Sequence, residues 1–193
     1  MSADAIARVT VALQNRLASA IASPVYVGPP IPDDVGGHKA ALFLFHVVPN
    51  QALRNEPHYV ARSSDPAGPL VEAPALPLDL RFLVSVFRTA GSGGGGVSDP
   101  DELRTLGLIV RALHEHPFID GNQVPDQLVR ITPEPYPMEE LSRVWALFPQ
   151  TSYRTSMVYL LSPVSVAVPA PPAGPPVLQR TSRQGPLVEG VAP

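Results

Sequence analysis

The residues most suggestive of chemistry are the glycines at 91, 93 and 96. Gly91, Ser92, Gly93, Gly94, Gly95 and Gly96 match the G-x-G-x-x-G pattern between an expected strand and an expected helix, where backbone N–H groups can cradle a pyrophosphate. The helix that follows opens with Asp99, Asp101 and Glu102, carboxylates that occupy the positive end of the dipole and would repel such a ligand. The glycines therefore read as a flexible loop, and binding of a nucleotide or small ligand by the Gly91–Gly96 loop is kept as the alternative reading. His114, Glu115 and His116 invite a metal, but residues two apart on a helix point about 200° apart, and the spacing is not H-E-x-x-H. Histidines in a last turn instead meet the negative end of the dipole. His46 lies on an apolar strand face and His38 and His58 lie in loops, each read as structural. There is no G-x-S-x-G elbow, and with no cysteine there is no thiol nucleophile, thiolate metal site or disulfide. The carboxylate pairs Asp33 with Asp34 and Glu139 with Glu140 are adjacent in sequence, so they diverge instead of facing one substrate. No enzyme, cofactor or metal site is expected.

The elements that would have to position such groups are better marked than the groups themselves. In 193 residues there is room for one ordinary domain. The 25 prolines and 14 glycines assign much of the backbone to turns and linkers. A net charge of −3 supplies no basic field for nucleic acid. The longest apolar run, Ala40 to Val48, is far short of the roughly 20 residues that span a bilayer. The start of the chain has no basic n-region or cleavage site, so cytoplasmic synthesis without a membrane is expected.

Ile6, Val9, Leu13, Leu17 and Ile21 share one helical stripe and define a first helix, Ala3 to Ala22. Ser23 to Gly37 is a connector with a short strand near Val25 to Val27. Ala40 to Val48 reads as a strand with Phe43, Phe45 and Val47 on one face and Leu42, Leu44 and His46 on the other, both covered. Pro49 to Pro77 has no sustained period and is a long excursion with room for a short edge strand. In Leu78 to Arg88, Leu78, Leu80, Phe82, Val84 and Val86 point inward and Asp79 and Arg81 outward. A helix capped by Ser98 or Asp99 runs to about His116, burying Leu103, Leu106, Ile109, Val110 and Leu113. Gln127 to Thr132 is a further strand.

The last folded block has the sharpest boundaries. Met138, Leu141, Val144, Trp145 and Phe148 recur at helical spacing between Pro137, suited to a helix start, and Pro149, where a helix stops. Glu139 stands four residues before Arg143, the favourable order for a surface ion pair. Thr155 to Val166 is apolar on both faces, as a strand covered on both sides is. Just before it come Tyr153 and Arg154, whose guanidinium could pair with a carboxylate of its own chain or clamp a neighbour. The chain thus divides into an α+β domain, 1–166, and a proline-rich arm, 167–193, too poor in large apolar residues to fold alone. Its first half should be semi-rigid, and Leu187 to Val191 could add as a strand to a partner's sheet edge.

Read in order, LFHVVPNQALRN (Leu44 to Asn55), the LPLDLRFLVSVF strand, GLIVRALHEHPFI (Gly107 to Ile119), VRITPEPYPMEELSRVWALF and YRTSMVYLLSPV resemble the tail-terminator or cap proteins of extracellular contractile injection systems, particles of the antifeeding-prophage and virulence-cassette type. The blocks span about Ala5 to Val166. The resemblance implies a small α+β fold, a mixed or antiparallel sheet backed by helices. It also implies a hexameric ring that ends the inner tube at the baseplate-distal end and contacts the last sheath layer, without catalysis. Its partners would be itself, the sheath protein and the inner tube protein. By carry-over, Tyr153, Arg154 and the exposed side of the Met138 helix with Glu139 and Arg143 would lie near subunit contacts. The arm, with Val177, Leu178, Leu187, Val188 and Val191, would face the sheath. Some relatives are longer; here the arm is expected to be the last element. A tube or sheath subunit is the remaining alternative.

Overall fold

The period-two run along Ala75–Val86 becomes the centre of the molecule because both of its faces find cover. A computed structural model of the protein describes residues 4–60, 71–88 and 100–168. The elements in chain order are α1 (Ala5–Ile21), β1 (Tyr26–Val27), α2 (Pro32–Val35), β2 (Ala40–Pro49), β3 (Tyr59–Val60), β4 (Val71–Glu72), β5 (Ala75–Val86), α3 (Pro100–Glu115), β6 (Phe118–Ile119), β7 (Val129–Glu134), α4 (Met138–Trp145) and β8 (Ser156–Ala167). The six-stranded sheet has the order β1-β2-β5-β8-β7-β6, and β3 pairs with β4 apart from it. All pairings are antiparallel except β1 with β2, which is parallel. The fold is the α+β class the sequence implies. The last strand, β8, lies inside the sheet between β5 and β7, which accounts for its apolar character on both sides.

Helices α1 and α3 cover one face. Val9, Leu13, Leu17 and Ile21 of α1 and Ile109 and Leu113 of α3 pack on Leu78, Leu80, Phe82, Val84 and Val86 of β5 and on Tyr159, Leu161 and Val164 of β8. The inward set expected for β5 is the set observed. In α3 the buried centre is Thr105, Ile109 and Leu113, and Leu103, expected inside, is 49% exposed. The reason is Thr105: its hydroxyl donates to the Asp101 carbonyl at 2.8 Å, so its polar group is satisfied within the helix and the residue can be buried. That turns the inward face away from Leu103, which lies about 200° from Thr105.

The other face is read along β5 through Phe87, Ser85, Leu83, Arg81, Asp79, Pro77 and Ala75, since alternate residues share a side. Phe87 packs with Val35 of α2 and Ala41. Leu83 packs with Val158 and with Leu141, Val144, Trp145 and Phe148 from α4 and its C-terminal turn. Met138 was expected in this stripe but is 67% exposed: it occupies the first turn of α4 and falls at the margin of the arc that Leu141, Val144, Trp145 and Phe148 bury. Past Leu83 the face turns polar at Arg81 and Asp79, and then apolar again at Pro77, which is buried, and Ala75.

Strand β2 departs from simple alternation. Leu44 pairs with Phe82 and His46 with Arg81, leaving Phe45 as an extra residue, a bulge. His46 is thereby moved to the side of Arg81, its ring stacked near that of Phe45 with centroids 6.4 Å apart. Val47, paired with Leu80, changes sides and is 43% exposed. The expected faces of β2 therefore hold up to Phe45 and exchange beyond it. The short elements α2 and β6 fall in stretches expected as loop, and β7 begins two residues later than expected. Each of α2 and β6 is too short for periodicity to register. The long excursion after Pro49 carries the small β3–β4 hairpin.

Candidate assembly surfaces

At one end of the sheet, the residues just before β8 meet α3 and α4. Arg154 lies 3.7 Å from Glu102 of α3 and its guanidinium sits over the Phe87 ring, 5.8 Å from the centroid. Of the two roles open to Arg154, the one visible within the chain is the internal pair. Its Nε is buried without a hydrogen-bond partner, so one donor of the fork is left over. Tyr153 is half exposed and meets Trp145 edge-on at 5.7 Å. Trp145 in turn donates to Ser156 Oγ at 3.2 Å. Glu139 and Arg143 form the expected ion pair at 2.6 Å on the solvent side of α4. The fold thus brings Tyr153 onto the helix that carries Glu139 and Arg143, while Arg154 turns toward α3. Val177, Leu178, Leu187, Val188 and Val191, the glycine run and the Ser98 or Asp99 cap lie outside the described residues.

The polar stretch of the second face escaped sequence reasoning. Arg81 holds Glu134 with both arms of its fork, Nε to Oε2 at 2.8 Å and Nη2 to Oε1 at 2.9 Å, across the intervening strand β8. That hydrogen bond pushes the Arg81 guanidinium further above its usual value, against the effect of burial. Next along β5, Asp79 Oδ1 accepts from Asn50 Nδ2 at 2.8 Å and Ser162 Oγ at 2.6 Å, and Asn50 Oδ1 receives the Leu53 N–H at 2.9 Å. These contacts fasten the loop after β2 to the sheet. A signal was present: a charged residue on the outward side of a strand in a sheet covered on both faces needs a partner, and Arg81 has one.

Beyond Asp79 the face opens into a cleft of about 220 Å³ whose walls include Leu53, Pro57, His58, Pro77, Leu128 and Pro163. His58 Nε2 is buried there with no hydrogen-bond partner. Gln127 forms part of the same wall and takes the place of a pairing strand: its amide donates to the Ser165 carbonyl and receives the Ser165 N–H, both at 2.8 Å.

The corner from His114 to Asp120 is tied to α1. Arg16 of α1 donates to the carbonyls of His116 and Phe118, the latter at 2.9 Å, and to Gln123 Oε1 at 3.3 Å. Burial lowers its pKa from the usual value, with Asp120 acting in the opposite direction. These contacts fasten α1 to the turn after α3. Among the described residues no three histidines or carboxylates are grouped to hold a metal ion, and no helix is long and apolar enough to cross a membrane.

Solved structures that share this architecture include two tube-terminating proteins. One is the sheath/tube terminator of PVC, an extracellular contractile injection system, in its extended state, with a TM-score of 0.60 and 17% identity over 95% of this chain and 65% of that one. The other is the tube-terminating cap of the anti-feeding prophage, with a TM-score of 0.57 and 17% identity over 91% of this chain and 60% of that one. The chain therefore spans less than two thirds of either solved chain, and at this identity the likeness is one of fold. None of the curated proteins matches it. The family model described as the Pvc16 N-terminal domain matches residues 8–180. The chain belongs to the Pvc16 N-terminal domain family.

Proposed function

We propose that the protein is a structural terminator of a contractile injection particle: six copies close a ring at the baseplate-distal end, stop growth of the inner tube and engage the last layer of sheath. The observation that carries the reading is that the match to a sheath/tube terminator covers 95% of the chain with a TM-score of 0.60. Support also comes from the division of polar side chains, which in this fold are spent on internal fastening, as with Arg16, Arg81 and Asn50. A ring suits the end of a tube because closed cyclic symmetry lets the copies satisfy one another's lateral surfaces, leaving only the two axial faces, one for the tube and one outward. In this reading Tyr153, Arg154, Glu139 and Arg143 lie toward a neighbouring subunit, and the far end of the arm, with Leu187, Val188 and Val191, reaches the sheath. The protein acts by contact and catalyses nothing, and it is incorporated into a particle after synthesis in the cytoplasm.

Electron microscopy of particles assembled with and without this gene tests the reading. Without it, tube lengths should spread well beyond the narrow distribution of the complete particle, and sheaths should separate from their tubes. Particles of unchanged length with sheath attached would overturn it.

A further inference from the structure

The cleft at the Ala75 end of the second face combines two features. Its walls are mostly apolar, with Leu53 37% and Leu128 60% exposed, yet it contains His58 Nε2 buried without a partner. A lone unpaired nitrogen among apolar side chains costs free energy unless something polar reaches it. The site therefore suits an occupant with aliphatic side chains and a peptide backbone, the side chains for the walls and a backbone group for the imidazole.

The chain supplies such a segment close by. Ala167, in the last position of β8, pairs with Ala75, a residue of the cleft, and the Val168 N–H donates to the Pro74 carbonyl at 3.0 Å. The sequence then continues Pro169, Ala170, Pro171, Pro172, Ala173, Gly174, Pro175, Pro176 before reaching Val177 and Leu178. A spacer of that composition spans about 25 Å when extended. That length is enough to carry Val177 and Leu178 of one copy across to another.

We propose that the cleft lined by Leu53, His58 and Leu128 receives Val177 and Leu178 of a second copy of this chain, so that neighbouring copies are linked by exchanged C-terminal segments. The exchange gives each copy one donor and one acceptor surface, the head-to-tail arrangement from which rings are built.

The absence of cysteine makes the contact directly testable in the full chain. Leu128→Cys in one tagged chain and Leu178→Cys in a differently tagged chain are mixed and mildly oxidised; a disulfide forms only if the two Cα atoms come within about 7 Å. The expected result is a linked pair carrying both tags, reduced about tenfold when His58→Ala is added to the cleft-bearing chain. Linkage no greater than that of a control with Arg111→Cys on the exposed side of α3 would overturn the proposal. So would a chain carrying both substitutions that closes only on itself. The assay reads a contact between copies and requires no particle. Its failure leaves the terminator reading standing, and unchanged particle lengths would remove that reading without touching this contact.

Discussion

Tyr159 illustrates how a single residue can be apolar in effect while carrying a polar atom. It is 2% exposed, and its hydroxyl reaches only the Met157 sulfur at 3.9 Å, a weak acceptor. Burial raises the phenol above its usual value. Tyr159→Phe removes a hydroxyl that gains little in the folded state, so the variant should be between neutral and about 1 kcal/mol more stable in urea denaturation at neutral pH. The sign of the pH effect follows from the same burial. The folded state keeps the proton longer than the unfolded state, so the neutral phenol's contribution is complete below about pH 10. It is lost as pH rises through the folded-state pKa. Wild-type stability should fall more steeply above pH 10 than that of Tyr159→Phe; parallel declines would show that the phenol does not titrate as a buried group. Arg81 presents the opposite case, a partly buried charge made tolerable by a bidentate carboxylate.

At the level of elements, α4 is held by few residues. Trp145 is 5% exposed, contacts Phe148 and Tyr153 edge-on and donates to Ser156. Trp145→Ala should therefore destabilise the fold by about 3 to 5 kcal/mol. Met138, on the same helix, is exposed, and Met138→Ser should change stability by no more than about 0.5 kcal/mol. Chemical denaturation of the two variants side by side checks the orientation of α4: equal losses would mean the helix is rotated toward Met138. The helix periodicity of Met138 to Phe148 located the element and four of the five residues of its expected inward arc. It could not say where the arc stops, because a first-turn apolar residue counts in the pattern whether or not a neighbouring element reaches it. The same holds for Leu103 in α3, where the deciding residue, Thr105, is polar by type and buried through its own helix.

For the whole molecule, the last strand runs on past the point where apolar alternation gives way to proline. The boundary is expected at Val166, and β8 continues to Ala167, which pairs with Ala75, while the Val168 N–H bonds to the Pro74 carbonyl. A chain ending at Val168 keeps every described contact and should unfold within about 2 °C of the full chain by calorimetry. In assembly reactions it should fail to join sheath. A large drop in Tm would show that residues 169–193 belong to the domain, and undiminished joining would move the sheath contact elsewhere.

What could be read from residue order was local: the amphipathic first helix, the alternation of β5, the two-sided character of β8, the proline boundaries of α4 and the i,i+4 pair of Glu139 with Arg143. Each rests on side chains within a few positions of one another, where backbone geometry alone decides which residues share a face. The family blocks were legible for the same reason. The placement of β8 between β5 and β7, the bulge that carries His46 to the side of Arg81, the reach of Arg81 to Glu134 and the cleft around His58 join positions dozens of residues apart. Pattern is silent there, because sequence spacing sets no distance between segments until the sheet brings them together.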